Sequence, residues 1–153
     1  NAINALSGVP LADELADRDF RRCLSLAMRE ALGVLAAAKL PVARLLKLPL
    51  PVVARLLPAP DWVFRPIAAR VASADPQARS SMFDDLVAHR ATEIDYLQGE
   101  IVELAGKHGR TAPINARLRE LVRAAEAGGK RDFTGRELHA ALIAAPGAQR
   151  TRG

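Results

Sequence analysis

From Asp17 onward the apolar residues Phe20, Cys23, Leu24, Ala27, Ala31 and Val34 recur at spacings of three and four. That rhythm is the strongest constraint on what this chain can become. It predicts an amphipathic helix running to about Ala38, with Asp17 as its N-cap. The same period returns in Met82, Phe83, Leu86 and Val87, then in Ile94, Leu97, Ile101, Leu104 and Ala105, then in Leu118, Leu121, Val122 and Ala125. Thr92 is expected to cap the second of these, with Asp95 able to close a box with it. Gly109 and Gly128-Gly129 are expected as stops, and Thr134-x-x-Glu137 as a capping box for a final helix to about Ile143. Asn1–Ser7 reads as the last turns of a helix entering from upstream and ending near Gly8 and Pro10. No stretch alternates strictly, so the chain is expected to be all-α, with short connections that pack successive helices together.

Between Leu40 and Asp75 the rhythm is broken by Pro41, Pro49, Pro51, Pro58, Pro60 and Pro66. An imperfect repeat, Val42-Ala-Arg-Leu-Leu46 and Val53-Ala-Arg-Leu-Leu57, predicts two or three short helical pieces there, and another helix starts at Asp61. Residues 1–145 are expected to form one helical domain with this proline-rich segment, 40–75, as an enlargement. The tail 146–153 is expected to fray.

Composition supports this and removes whole classes of function. With 153 residues, half of them apolar and only 4% aromatic, the chain can bury a core and favours helices over a barrel. Cys23 is the sole cysteine, which excludes an internal disulfide and any multi-cysteine metal site. It falls on an apolar stripe and reads as a core residue. His89, His108 and His139 lack metal-ligand spacing. The longest uncharged apolar runs, Ala31–Ala38 and Leu48–Ala54, are far below the ~20 residues a bilayer span needs. The net charge of +5 sits in residues 31–72, which carry six basic side chains against Asp61 alone. Without a docking motif or aromatic interleaving, this distribution argues against nucleic-acid binding. Trp62 and Phe64, beside these basic residues, could touch a membrane surface but are expected rather to pack in the core.

Three clusters could carry chemistry. Asn1 and Asn4 share a helix face, where amides can meet a polar ligand or simply end a helix. Ser81 stands near a helix start, where it can cap through Ser81-x-x-Asp84 or help to bind an anion. Glu93 falls in a first helical turn, where a carboxylate complements the dipole whatever else it does.

The order of these segments narrows the reading. Ile3-Asn4-Ala5-Leu6-Ser7, then Arg79-Ser80-Ser81-Met82-Phe83-Asp84-Asp85, then Thr92-Glu93-Ile94-Asp95-Tyr96-Leu97-Gln98-Gly99, then Ala112-Pro113-Ile114-Asn115, resembles the C-terminal domain of the ketopantoate reductases, over Asn1 to about Ala127. The resemblance implies a cytoplasmic NADPH-dependent oxidoreductase that acts on a small 2-ketoacid, with this chain as its helical substrate domain and an N-terminal Rossmann domain outside it. It implies that Asn4 hydrogen-bonds the ketoacid, that Ser81 binds its carboxylate, that Asn1 belongs to the same substrate site, and that Glu93 faces the cofactor. The family's proton donor is a lysine on the first helix, upstream of Asn1. Gln98 stands where the family usually has asparagine, and Ala78 where some members carry a substrate-contacting asparagine. The chain opens on Asn1, so a segment is expected before it, and the chain alone is expected to be inactive. A second copy of the chain is a further expected partner. Two other classes remain open: a helical interaction module without chemistry, and a basic surface binder using residues 39–70 on anionic partners.

Overall fold

The computed structural model describes residues 1–42, 44, 45 and 48–148. Among these it contains nine α-helices: α1 Ala2–Ser7, α2 Leu11–Ala16, α3 Arg18–Ala37, α4 Leu50–Leu56, α5 Asp61–Ala74, α6 Ser81–Val87, α7 Glu100–Lys107, α8 Pro113–Glu126 and α9 Gly135–Ile143. A π-helical turn, Asp95–Gly99, leads into α7. The fold is all-α, as the periodicity predicts. No helix among the described residues is long and apolar enough to cross a membrane.

The longest helix, α3, is the spine. Asp17 caps it by accepting the Asp19 N–H at 2.7 Å, and its apolar stripe buries Phe20, Cys23 and Ala27. Against that stripe pack α1, α8 and α9, with Leu6, Met82, Ile94, Leu118, Leu138 and Leu142 closing the core. A satellite cluster of Val34, Ala105 and Ala112 seals the far end of α3. Thr134 and Glu137 form the expected capping box at α9. The packed core reaches Ala148, three residues into the tail expected to fray; residues 149–153 lie outside the described residues.

Four local expectations change. Leu11–Ala16 is a helix of six residues, too short to display a period. Pro66 does not break a helix but sits inside α5, in its second turn, where it costs the ladder one bond. In the first copy of the repeat, Arg44 and Leu45 are extended and pair antiparallel with Leu48 and Pro49. Pro49 biases Leu48 before it toward extended backbone. Ala43, Leu46 and Lys47 lie outside the described residues, whereas the second copy is helical within α4 as expected. Finally, Phe64 is buried but Trp62 is 73% exposed.

One side chain docks the proline-rich segment on the spine. Arg21, on α3, is 1% exposed. Its Nε donates to Leu57 O at 3.0 Å, its Nη1 to Leu15 O and Ala16 O at 2.8 Å each, and its Nη2 to Ala59 O at 2.9 Å and Asp61 Oδ1 at 2.7 Å. The guanidinium also lies 4.4 Å from the centre of the Phe64 ring. Arg18 Nε adds a bond to Pro58 O at 2.8 Å, and Ser25 Oγ one to Ala54 O at 2.7 Å. The carboxylate of Asp61 is half exposed, so the main-chain carbonyls carry more of this arrangement than the ion pair does.

Replacing Arg21 by Met is expected to lower the unfolding free energy by about 3–5 kcal/mol, because four main-chain carbonyls lose their shared, fully buried donor together. Arg21→Lys should recover little, since an ammonium is a point donor and cannot span both ends of the fork. Urea denaturation of the two variants measures this, and an Arg21→Lys protein as stable as the parent would contradict it.

Candidate functional site

Two helix starts are locked together by one amide. Gly8 ends α1 in the left-handed conformation, at φ 68°, a turn that favours glycine, and the chain folds back through Val9 and Pro10 into α2. This return encloses Asn4, which is 1% exposed. Its Nδ2 donates to Val9 O at 3.0 Å and to Glu14 Oε2 at 2.8 Å, and its Oδ1 accepts the Ser80 N–H at 2.8 Å. Ser80 Oγ in turn donates to Asn1 O at 3.3 Å. Asn1 and Ser81 therefore begin neighbouring helices, α1 and α6. Arg79 Nε donates to Gly8 O at 2.8 Å, and the Leu11 N–H reaches Ala78 O at 2.9 Å, which brace the same junction.

The structure corrects one detail of the sequence reading at this junction. The N-cap of α6 is Ser80, whose Oγ accepts the Phe83 N–H at 3.2 Å. Ser81 is the first helical residue, exposed, and its hydroxyl has no partner among the described residues. Asn4 is committed inside the chain, with both amide hydrogens and the amide oxygen engaged. It ties α1, α2 and α6 into one unit. Asn1 is exposed and makes no side-chain cap bond.

Glu93 is presented in a similar way. Thr92 gives both its N–H and its Oγ1–H to Glu126 Oε1, each at 2.8 Å, while its Oγ1 accepts the Ile94 N–H at 3.3 Å. Ile94 is fully buried. Asp95 does not close a box with Thr92. Instead it accepts Arg119 Nε at 2.6 Å and also pairs with Arg123 Nη2. Arg123 Nη1 reaches Glu126 Oε2 at 2.8 Å. Burial pushes the Glu126 carboxyl up, but hydrogen bonds from Thr92 and Arg123 outweigh it and hold the group below the usual carboxylate range. The Glu93 side chain is exposed and has no hydrogen bond or ion pair among the described residues.

Beside these starts lies a cleft of about 410 Å³, with Asn1 and Glu14 on one side, Leu97 and Gln98 on the other, and Leu24 and Met28 of α3 between them. Asn4, Ser81 and Glu93 do not line it, so the three expected residues do not share this hollow. What joins it to them is sequence adjacency: α1 opens at Asn1, and Leu97 lies one turn beyond Glu93. Gln98 Oε1 is buried without a hydrogen-bond partner among the described residues. Glu14 is not legible as a site residue, because it lies in neither a capping pattern nor a motif, whereas Gln98 stands within the Thr92–Gly99 segment of the resemblance. Asn115, which also borders the cleft, is fixed by Glu30: Oε2 accepts its N–H and Nδ2 at 2.8 Å each, and Oε1 accepts the Ile114 N–H at 3.0 Å.

Other chemistries find no support. No group of three or more His, Cys, Asp or Glu among the described residues could hold a metal ion. Cys23 is fully buried. Burial and the nearby carboxylates of Asp19, Glu14 and Asp17 push its thiol up to about 12, where it is a poor nucleophile.

Residues 1–126 match the family described as "Ketopantoate reductase PanE/ApbA C terminal". The chain belongs to the ketopantoate reductase family. It is 45% identical over 56 residues to a 2-dehydropantoate 2-reductase of Salmonella typhimurium, covering 37% of this chain and 18% of that protein. To the 2-dehydropantoate 2-reductase of Yersinia pestis it is 47% identical over 47 residues, 31% of this chain and 16% of that protein. To that of Shigella flexneri it is 39% identical over 71 residues, 46% of this chain and 23% of that protein. Each aligned stretch thus spans less than a quarter of the relative's length. No solved structure matches the chain. The all-α architecture and the matched range agree in making this the family's C-terminal domain.

The raised carboxyl of Glu14 gives a test of the junction. Burial lifts it above the usual range, against the opposing effect of the Asn4 hydrogen bond. Below the ordinary carboxylate pKa the group is protonated whether folded or unfolded, and burial carries no ionisation penalty. As pH rises, the unfolded chain ionises first, so stability falls until the raised folded pKa is passed. Glu14→Gln keeps an acceptor for Asn4. It is expected to be more stable than the parent at pH 7, with the gain vanishing toward pH 4. Thermal melts across that range check it, and a Glu14→Gln protein less stable at pH 7 contradicts it.

Proposed function

We propose that this chain is the helical substrate domain of an NADPH-dependent 2-ketoacid reductase of the 2-dehydropantoate 2-reductase kind, working with a Rossmann domain that lies outside it. The observation that carries the reading is the family match over residues 1–126, taken with two side chains, Ser81 and Glu93, that the fold presents to solvent without partners among the described residues. The Ser81 hydroxyl, beside first-turn N–H groups that no helix satisfies internally, binds the ketoacid carboxylate. Asn1 stands at the adjoining helix start and contributes its amide to the same substrate. Asn4 acts indirectly, by holding Ser80 and hence Ser81 in place.

NADPH, when bound, supplies the hydride. Of the residues described here, Glu93 is suited to face it, because its carboxylate is exposed on a clamped backbone and uncommitted; the dinucleotide's phosphates belong to the Rossmann domain. Reduction of the ketone leaves an alkoxide that must be protonated. By the family resemblance, that proton comes from a lysine upstream of Asn1, so the roles left to this chain are binding and orientation.

Assayed in the complete protein, Ser81→Ala is expected to raise KM for the ketoacid by about tenfold to a hundredfold, the scale of a lost charge-assisted bond. Glu93→Gln should lower kcat by a similar factor. Because neither side chain has a partner to lose, both variants should keep their unfolding free energy within about 0.5 kcal/mol. The 153-residue chain alone is expected to show no turnover. If the complete protein reduces no 2-ketoacid with NADPH, or if both variants keep full activity, the reading fails.

A further inference from the structure

The clamp around Glu93 is more elaborate than a helix start requires. An N-cap threonine alone satisfies one or two first-turn N–H groups. Here a second helix reaches across: Glu126, at the C-terminal end of α8, takes both donors of Thr92 on one carboxylate oxygen and holds Arg123 with the other. Arg123 and Arg119, on the same helix, then hold Asp95. Glu93 is thus bracketed. The residue before it and the residue two after it are both tied to α8, and Ile94 between them is fully buried. The one side chain in this stretch with neither partner nor burial is Glu93 itself, followed by the exposed Tyr96.

From this bracketing we infer that Glu126, assisted by Arg123, is a positioning residue for Glu93. It fixes the backbone from which that carboxylate projects and so sets where the carboxylate meets the cofactor side of the site. The inference rests on the reductase reading for Glu93's own role. It assigns a task to Glu126, which touches neither substrate nor cofactor. The network is also directional. One oxygen of Glu126 serves the backbone and the other serves the arginine, so the two functions can be separated by substitution. Gln at this position keeps an acceptor for Thr92 while losing the charge that holds Arg123. Ala loses both.

The test is a double-mutant cycle in the complete protein, with NADPH and a 2-ketoacid as probes. Glu126→Ala should lower kcat by about tenfold to a hundredfold, the cost of a misplaced group, with KM for the ketoacid little changed. Glu126→Gln should restore most of that loss. Glu93→Gln combined with Glu126→Ala should be no slower than Glu93→Gln alone, because a misplaced carboxylate and an absent one cost the same. Multiplying losses would overturn the inference, since Glu126 would then act independently of Glu93. So would an equal loss of kcat in Glu120→Ala, a control acid on α8 that pairs with Arg117. Amide hydrogen exchange separates this outcome from failure of the functional reading. Faster exchange at Thr92 and Ile94 in Glu126→Ala establishes the clamp even if Glu93→Gln proves fully active, a result that sinks the reductase role of Glu93. Unchanged exchange overturns the clamp whatever the kinetics.

Discussion

Helix ends carry unpaired N–H and C=O groups, and six of the nine helices among the described residues have only six to nine residues, so the fold is rich in ends. This constraint explains why so many polar side chains are buried here. Asn4, Arg21 and Glu30 all lie within the core, and each meets main-chain groups of a helix other than its own. Arg21 serves the last carbonyls of α2 and the corner between α4 and α5. Glu30, in the middle of α3, takes the first N–H groups of α8, which begins at a proline and has no side-chain cap of its own. Asn4 takes the Ser80 N–H in front of α6, and Glu126 takes that of Thr92. Because burial makes an unsatisfied group costly, each of these contacts fixes both the position and the register of the helix it serves.

The same constraint divides labour at the site. Asn4 and Glu126 are spent on the backbone, and the residues they hold in place, Ser81 and Glu93, are left free. A side chain that must meet a ligand cannot also be the one satisfying a helix end, so the residue beside it takes that role: Ser80 for Ser81, Thr92 for Glu93. This is why two adjacent polar residues occur at both starts. On the proposed reading, it also explains how Asn4 could influence a ligand held by its neighbours. Its three bonds set the separation between α1 and α6, and that separation determines whether Asn1 and Ser81 can address one small molecule.

Much of the fold is legible in the sequence because its signals are local. The stripe of α3, the Asp17 cap, the start of α8 at Pro113 and the Thr134 box each need fewer than twenty consecutive residues to be recognised. What escapes is either too short or too distant. The six residues of α2 complete barely two turns, so no period accumulates. Two neighbouring serines, Ser80 and Ser81, are equally good caps by composition, and the choice between them is made by Asn4, 76 positions away. The Thr92–Glu126 contact spans 34 positions and the Arg21–Asp61 contact 40. Nothing in the residues around Glu126 or Glu14 marks them as partners, whereas the Ser-Ser-Met and Thr-Glu-Ile-Asp segments are recognisable as a pattern although their bonding is not.

The proline-rich segment shows the constraint at its sharpest. Each proline removes an N–H and leaves a carbonyl, so Pro58-Ala59-Pro60 and its flanks form a stretch with acceptors in excess of donors. No helix or ladder can balance that locally. The complementary group is one with many donors and no acceptor, and arginine is that group: five N–H donors in a rigid fork. Arg21 and Arg18 together reach the carbonyls of Leu57, Pro58 and Ala59. The excess of acceptors that keeps residues 57–60 from forming regular structure is therefore what fastens them to α3. Around that anchor Ala54, Leu57, Phe64 and Ala68 are buried. A segment that reads in sequence as an interruption is built into the domain by the arginines of the helix it follows.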